Sequence, residues 1–243
     1  EHGLSYLIEI DDQKILFDTG HSDCFLKNAI IAGLDIKKEV KTVVLSHGHW
    51  DHGDGLKYLD NKTLIVHPGA LIRRFRKKDL SPVGLSLSKT ELTKKFQIIE
   101  TKKPYSITQN LWFLGEVPRL NDFESQTTTY TDDFSNDDFI MDDSALAAVV
   151  NNELIIITGC SHSGICNITE HAKNVTGISK VHSVIGGFHL KFDDEQTKRT
   201  INYMKNNNVN MVIPSHCTEL PALAAFHYVF GNTTIKTGMV LYF

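Results

Sequence analysis

The chain has 243 residues, a formal net charge of −4, 41% hydrophobic and 22% charged residues, the balance of a soluble globular protein with one large α/β domain or two small ones. That charge gives no general affinity for nucleic acid, no apolar run reaches the ~18 residues a membrane helix needs, and no signal-peptide pattern is visible. The four cysteines, Cys24, Cys160, Cys166 and Cys217, are too scattered for a disulfide framework and fit a reducing cytoplasm.

Leu4–Ile10 and Lys14–Phe17 read as strands joined by a turn at Asp11, Asp12 and Gln13. The chain opens on Glu1 and enters a strand almost at once, so an upstream segment is expected to be missing. The second strand runs into Asp18-Thr19-Gly20, where Asp18 is either a turn former or a carboxylate that orients a metal-bound histidine. Ser22 or Asp23 can cap a helix carrying Phe25, Leu26, Ala29 and Ile30, which Gly33 stops.

Thr42 to Leu45 form a short apolar strand, followed by Ser46 and then His47, His49, Asp51 and His52 in the spacing H-x-H-x-D-H. In extended chain, side chains at i and i+2 point the same way, so His47 and His49 can grip one ion. Where the chain bends, Asp51 and His52 can turn toward a second. Imidazole suits zinc, iron, copper and nickel, and a carboxylate widens the choice toward manganese.

Thr63–His67 reads as a strand, with His67 structural or near the cleft. From Leu71 to Lys95 the pattern turns helical and basic, with Arg73, Arg74, Arg76, Lys77 and Lys78 crowded together. That run is a solvated face or a receiver of substrate charge. Ser88 and Glu91 make a capping box, and Gln97–Glu100 and Asn110–Leu114 read as strands. Residues 119–143 carry eight acidic side chains and one basic one, Arg119. A loop of that length inside a domain is expected to be a lid or binding loop beside the metal site.

The second half alternates strands and helices. Leu146–Val150 and Leu154–Thr158 form a hairpin over Asn151-Asn152, and a helix opens after Gly159-Cys160-Ser161-His162-Ser163-Gly164. Val181–Ile185 ends in Gly186-Gly187-Phe188-His189, and Asp193 with Gln196 caps a helix to about Asn207. Val209–Ile213 ends in Pro214-Ser215-His216-Cys217, Thr218 caps a helix containing Pro221, and Thr234–Phe243 gives the last strands. Three times an apolar strand ends and a histidine precedes a helix, at His47–His52, His162 and His216, and His189 repeats the pattern less cleanly. Strand ends are where α/β folds hold their sites. Cys160 and Cys217 read as packing residues, and His2, His21, His171, His182 and His227 as ordinary.

These motifs, in this order, resemble the metallo-β-lactamase superfamily: the Asp-Thr-Gly at Asp18, the H-x-H-x-D-H at His47 to His52, and the later His162 and His216. The resemblance implies an α/β fold, a four-layer αβ/βα sandwich, as a single domain over 1–243, with a helical insertion and the acidic loop within 71–143. It implies two divalent ions, zinc first with manganese or iron as alternatives. His47, His49 and His162 would hold one, and Asp51, His52 and His216 the other, with Asp18 behind them. Hydrolytic members place a bridging Asp where this chain has Gly186-Gly187-Phe188-His189. Either His189 takes that place or the second ion is held more weakly. A narrower likeness, through Gly115-Glu116-Val117-Pro118-Arg119, Gly159–Ile165, Gly186–Leu190 and Pro214–Thr218, is to the dihydropterin ribofuranosylaminobenzene 5'-phosphate synthase branch.

The expected function is a binuclear metal-dependent hydrolase that attacks a small anionic, phosphorylated or cyclic substrate through a metal-bound hydroxide. Asp51 and His189 are its catalytic groups, and Arg73, Arg74 and Arg119 receive the substrate's charge. A pterin-condensing synthase and a non-catalytic ligand-binding member are the alternatives. A di-iron reductase fits less well, since that branch usually has Glu where His49 stands. The only partner expected is the small-molecule substrate, with no nucleic acid and no membrane.

Overall fold

In the computed structural model, which describes residues 1–231 and 234–243, Tyr6–Ile10 (β1) and Gln13–Phe17 (β2) pair antiparallel across Asp11 and Asp12. Both turn residues have positive φ, 50° and 57°, as a two-residue loop matched to strand twist requires, and Asp tolerates that conformation. The chain continues through α1 (Cys24–Ile31), α2 (Ile36–Glu39), β3 (Thr42–Val44), α3 (Trp50–Gly53) and β4 (Lys62–Val66). Then come β5 (Arg74–Arg76), α4 (Lys89–Lys95), β6 (Phe96–Glu100), β7 (Tyr105–Ser106), β8 (Leu111–Phe113), β9 (Tyr130–Asp132) and β10 (Asp137–Asp138). The rest is β11 (Ala145–Val150), β12 (Glu153–Thr158), α5 (Ile165–Thr176), β13 (Val181–Gly187), α6 (Glu195–Asn206), β14 (Met211–Ser215) and α7 (Leu220–Phe230). The β11–β12 hairpin turns over Asn151 and Asn152, again at positive φ, 52° and 61°.

The chain divides into two compact units, one of Glu1–Lys103 with Thr127–Asp143, the other of Pro104–Gln126 with Ser144–Phe243. In the first, a five-stranded sheet runs β1-β2-β3-β4-β6, parallel from β2 onward. Val43, Leu45, Leu64, Val66, Leu56 and Leu92 form its core. A second sheet orders β10-β9-β5. In the second unit the sheet runs β14-β13-β12-β11-β8-β7, parallel across β12, β13 and β14, against the apolar faces of α5, α6 and α7 (Ile168, Ala172, Ile201, Met204, Phe226).

Several segments differ from their sequence reading. Leu71–Lys95 is helical only at α4, which carries the expected capping box of Ser88 and Glu91. Arg74–Arg76 is instead a strand, because Arg74, Phe75 and Arg76 pair with Asp132, Thr131 and Tyr130. Residues 127–143 are accordingly a folded part of the first unit, with Asp138, Asp142 and Asp143 buried. The α6 cap is Asp194, whose side chain accepts from Thr197 N–H, one residue later than the expected Asp193. α7 is preceded by Glu219 and has no side-chain cap, and Thr218 Oγ1 accepts instead from Phe188 N–H at 3.0 Å. Residues 234–243 carry no strand. They turn at Gly238 (φ 80°), and Val240 and Tyr242 stay exposed without a partner strand. Among the described residues, no helix is long and apolar enough to cross a membrane.

Candidate metal centre

In the first unit β2 and β3 run parallel with Phe17 beside Val44, so the residues that follow each strand emerge side by side. Asp18 leaves β2 at φ 58° and donates its N–H to Val44 O at 2.9 Å. Ser46 leaves β3 and donates twice to that carboxylate, from N–H to Oδ1 at 2.7 Å and from Oγ to Oδ2 at 2.7 Å. Asp18 Oδ2 also sits 2.6 Å from His52 Nδ1, both side chains fully buried. An ionised carboxylate there holds the proton on Nδ1 and leaves the Nε2 lone pair as the donor, the arrangement that fixes a metal-binding imidazole.

The turn that carries the other donors is equally constrained. His47 Nε2 lies 2.9 Å from His49 Nδ1, and the His47 ring packs 4.3 Å from that of His52. Gly48 between them passes so close to Ala70 that a Cβ would lie 2.0 Å from its carbonyl oxygen. Only glycine fits there. Gly48 N–H donates to Asp142 Oδ2 at 2.7 Å, and Arg74 clamps the same carboxylate at 2.7 and 3.1 Å. Arg74 Nε also lies 3.1 Å from Asp138 Oδ2. Burial, reinforced by Arg74, pushes the His49 pKa down to about 3, so His49 is a neutral imidazole with a lone pair to give. Burial alone would raise Asp142, but Arg74 and the Gly48 N–H outweigh it and hold the carboxyl below the usual carboxylate range. Asp51, nearly buried, has Oδ2 3.7 Å from His52 Nε2 and 3.1 Å from His2 Nε2.

In the second unit, β12, β13 and β14 end in step, Thr158 beside Gly186 and Gly187 beside Ser215. The residues past those ends are Cys160 and His162, His189, and His216 and Cys217. Ser161, His189 and His216 hold φ of 61°, 52° and 51°, a left-handed conformation that costs non-glycine residues about 1–3 kcal/mol each and clusters at working sites. Ser161 is pinned through Oγ, which donates to Gly187 O at 2.6 Å and meets Thr158 Oγ1 at 2.8 Å. The donor atoms of Cys160, His162 and His189 lie within 4.8 Å of one another, and the rings of His162 and His189 are 4.4 Å apart.

His47, His49, Asp51, His52 and Asp18 thus cluster in one unit, and His162 and His189 in the other, where His216 follows the next strand end. The three arginines are not brought together. Arg73 is exposed, 3.6 Å from Asp133. Arg119 is half-buried, on the chain of the second unit. Arg74 departs from its sequence reading, since it is buried and committed to Asp142 and Asp138 and so is no receiver of a ligand's charge. His67 is buried, and its Nδ1 accepts from Gly69 N–H. Cys160, read from sequence as packing, has its thiol within 4.8 Å of donor atoms of His162 and His189; His2, read as ordinary, lies beside Asp51; and Asp142, whose tie to Gly48 spans 94 residues, leaves no local trace in the sequence.

These donors fit a divalent cation. They are imidazoles held neutral or oriented by a carboxylate, a second carboxylate and a thiol, largely buried, with ring nitrogens in near contact.

The comparisons with known proteins agree with that chemistry. A family model described as the metallo-beta-lactamase superfamily matches residues 1–173. An uncharacterized protein of Methanocaldococcus jannaschii is 34% identical over 243 residues, covering 96% of this chain and 91% of its own length. The 7,8-dihydropterin-6-methyl-4-(beta-D-ribofuranosyl)-aminobenzene-5'-phosphate synthase of the same organism is 31% identical over 244 residues, covering 91% and 82%. Among solved structures, the crystal structure of a metal-dependent hydrolase of the beta-lactamase superfamily is similar over 100% of this chain and 92% of its own, with 30% identity and a TM-score of 0.86.

Proposed function

Because the chain belongs to the metallo-β-lactamase superfamily and has its fold, we propose that it is a metal-dependent hydrolase of a small anionic substrate. Two divalent ions, zinc before manganese or iron, would take His47, His49, Asp51, His52, His162 and His216 as donors, with His189 in place of the absent bridging carboxylate. The motif match assigns these donors. The observation that carries the reading is the Asp18–His52–Ser46 group, a buried carboxylate held by two hydrogen bonds from Ser46 and facing one imidazole, His52 Nδ1.

When bound, metal ions of this kind lower the pKa of a water and stabilise charge that develops on the attacked group. The chain's own residues supply the rest. Asp18 keeps the His52 proton on Nδ1. Asp142 holds the Gly48 peptide and with it the relative placing of His47 and His49. Burial keeps His49 unprotonated across the working pH range and limits water around the donors. Asp51 is a carboxylate placed to accept a proton, with His2 beside it. Arg73, on an exposed surface, and Arg119 would meet a substrate anion, whereas Arg74 is buried against Asp142 and Asp138. The four free thiols are consistent with a reducing, cytoplasmic setting.

A condensing synthase is the second reading, favoured by the relative of that name that aligns over 91% of this chain. Elemental analysis of the purified protein, followed by a screen of phosphodiesters, lactones, thioesters and pterin phosphates with product identification, separates the two. Hydrolysis products support the first reading and a condensed pterin the second. Full activity in metal-free protein would refute both.

A further inference from the structure

The second unit carries a thiol that the superfamily motif does not assign, Cys160, beside the imidazoles of His162 and His189. Cys160 and His162 follow β12, and His189 follows β13, its parallel neighbour with Thr158 beside Gly186. The ladder continues one bond past the paired residues, Gly187 N–H to Gly159 O at 2.9 Å, and Ser161 Oγ ties the Cys160–His162 turn to Gly187 O. Gly187 makes this close approach possible, since a Cβ there would lie 2.4 Å from Gly159 O and 3.2 Å from Cys160 Cα. The turn is thus fixed from both sides, with Ser161 and His189 in left-handed conformations. The Cys160 Sγ and one ring nitrogen each of His162 and His189 all lie within 4.8 Å. Zinc bonds of ~2.0–2.3 Å place tetrahedral donors roughly 3.3–3.8 Å apart. Side-chain adjustments on the rotamer scale therefore close this group on an ion. A thiolate with two imidazoles also matches zinc's preference for sulfur and nitrogen, and leaves a fourth position open.

We infer that Cys160 is a metal ligand, a thiolate that joins the imidazoles of His162 and His189 in the second unit. The inference rests on the metal-dependent reading above and deepens it. Cys160 would add a sulfur donor beside His189, which the reading above puts in place of the carboxylate that this chain lacks. Cys217 is the nearest competing thiol: its Sγ meets Cys160 O at 3.5 Å and the His189 side chain, though it is not in the three-donor group, and the variants below separate it from Cys160.

The test uses the full-length protein stripped of metal and reloaded with cobalt(II), whose spectrum reports its donors directly. A thiolate ligand gives an intense near-ultraviolet charge-transfer band beside the weaker visible bands, and nitrogen and oxygen donors alone give only the latter. The parent should show the charge-transfer band. Cys160→Ser and Cys160→Ala should lose it while keeping the parent's circular dichroism, and Cys217→Ser should keep it. His189→Ala should shift the visible bands. Visible bands without charge transfer in the parent would overturn the inference yet leave the metal-dependent reading standing, and that outcome does not depend on any variant folding. A band that survives in Cys160→Ser and vanishes in Cys217→Ser would overturn the assignment to Cys160. Absence of any cobalt uptake would sink the inference and the metal-dependent reading together.

Discussion

Asp18 meets His52 because one residue leaves its strand at positive φ, so that its carboxylate turns back over the end of the neighbouring strand. Its two oxygens accept from Ser46 N–H and Ser46 Oγ as well as facing His52 Nδ1. Asp18→Asn offers one acceptor and one NH₂ donor, so either a Ser46 bond is lost or the His52 tautomer reverses. Loss of such a partner typically weakens metal binding about 10–100-fold, to be measured by chelator competition. Parent-like affinity would show that Asp18 only shapes the turn. The contact of Asp18 with His52 was legible as an Asp at a strand end before Gly. That of Arg74 was not, because its partners Asp138 and Asp142 lie 64 and 68 residues away and a basic run reads the same on a solvated face or in a core. Arg74→Ala strands two buried carboxylates and should cost about 3–5 kcal/mol in urea unfolding at neutral pH. With Arg74 present, Asp142 is held below its ordinary value, so its contribution is present above the unfolded pKa of ~3.9 and is lost as pH falls through the folded one. Without Arg74, burial dominates and raises that pKa, a contribution lost as pH rises. The deficit of Arg74→Ala should therefore shrink between pH 7.5 and pH 5; a deficit independent of pH would mean that the guanidinium acts by packing.

At the scale of elements, the ends of β12, β13 and β14 are brought level by parallel register, and the glycines of β13 allow the approach. A Cβ on Gly187 would lie 2.4 Å from Gly159 O, a backbone atom, and 2.6 Å from Cys217 Sγ. Gly187→Ala should accordingly destabilise by about 1–3 kcal/mol, as overpacking does, and should lower cobalt or zinc affinity as His189 moves with its strand. Parent-like urea unfolding together with parent-like affinity would show that the strand end yields freely. Elements whose instructions are local were readable: the Asp11-Asp12 and Asn151-Asn152 hairpins need only residues that accept positive φ, and α4 needs only Ser88 and Glu91. Elements defined by a distant partner were not. Arg74–Arg76 becomes a strand because Tyr130–Asp132 lies beside it. Conversely, Thr234–Phe243 has strand-forming residues but no partner.

For the whole molecule, the histidine clusters were legible because histidines recur at strand ends, whereas the number and identity of any ions they hold are not written in spacing. A bound metal would enter the stability of the chain by mass action. An ion bound only by the folded state adds RT ln(1 + [M]/Kd), about 2.7 kcal/mol when free metal is 100-fold above Kd. For a chain of 243 residues, each kcal/mol moves the melting temperature roughly 2–4 °C. Removing the metal with a chelator should then lower Tm by about 5–10 °C, and re-adding zinc should restore it in a concentration-dependent way. His47→Ala, which removes a donor from the turn around Gly48, should reduce this chelator-sensitive part of Tm more than it reduces the Tm of the metal-free protein. Cys160→Ser should do the same through the second unit. If parent and both variants melt at the same temperature with and without chelator, no ion stabilises the folded chain through these residues, and the donor assignment fails at its base.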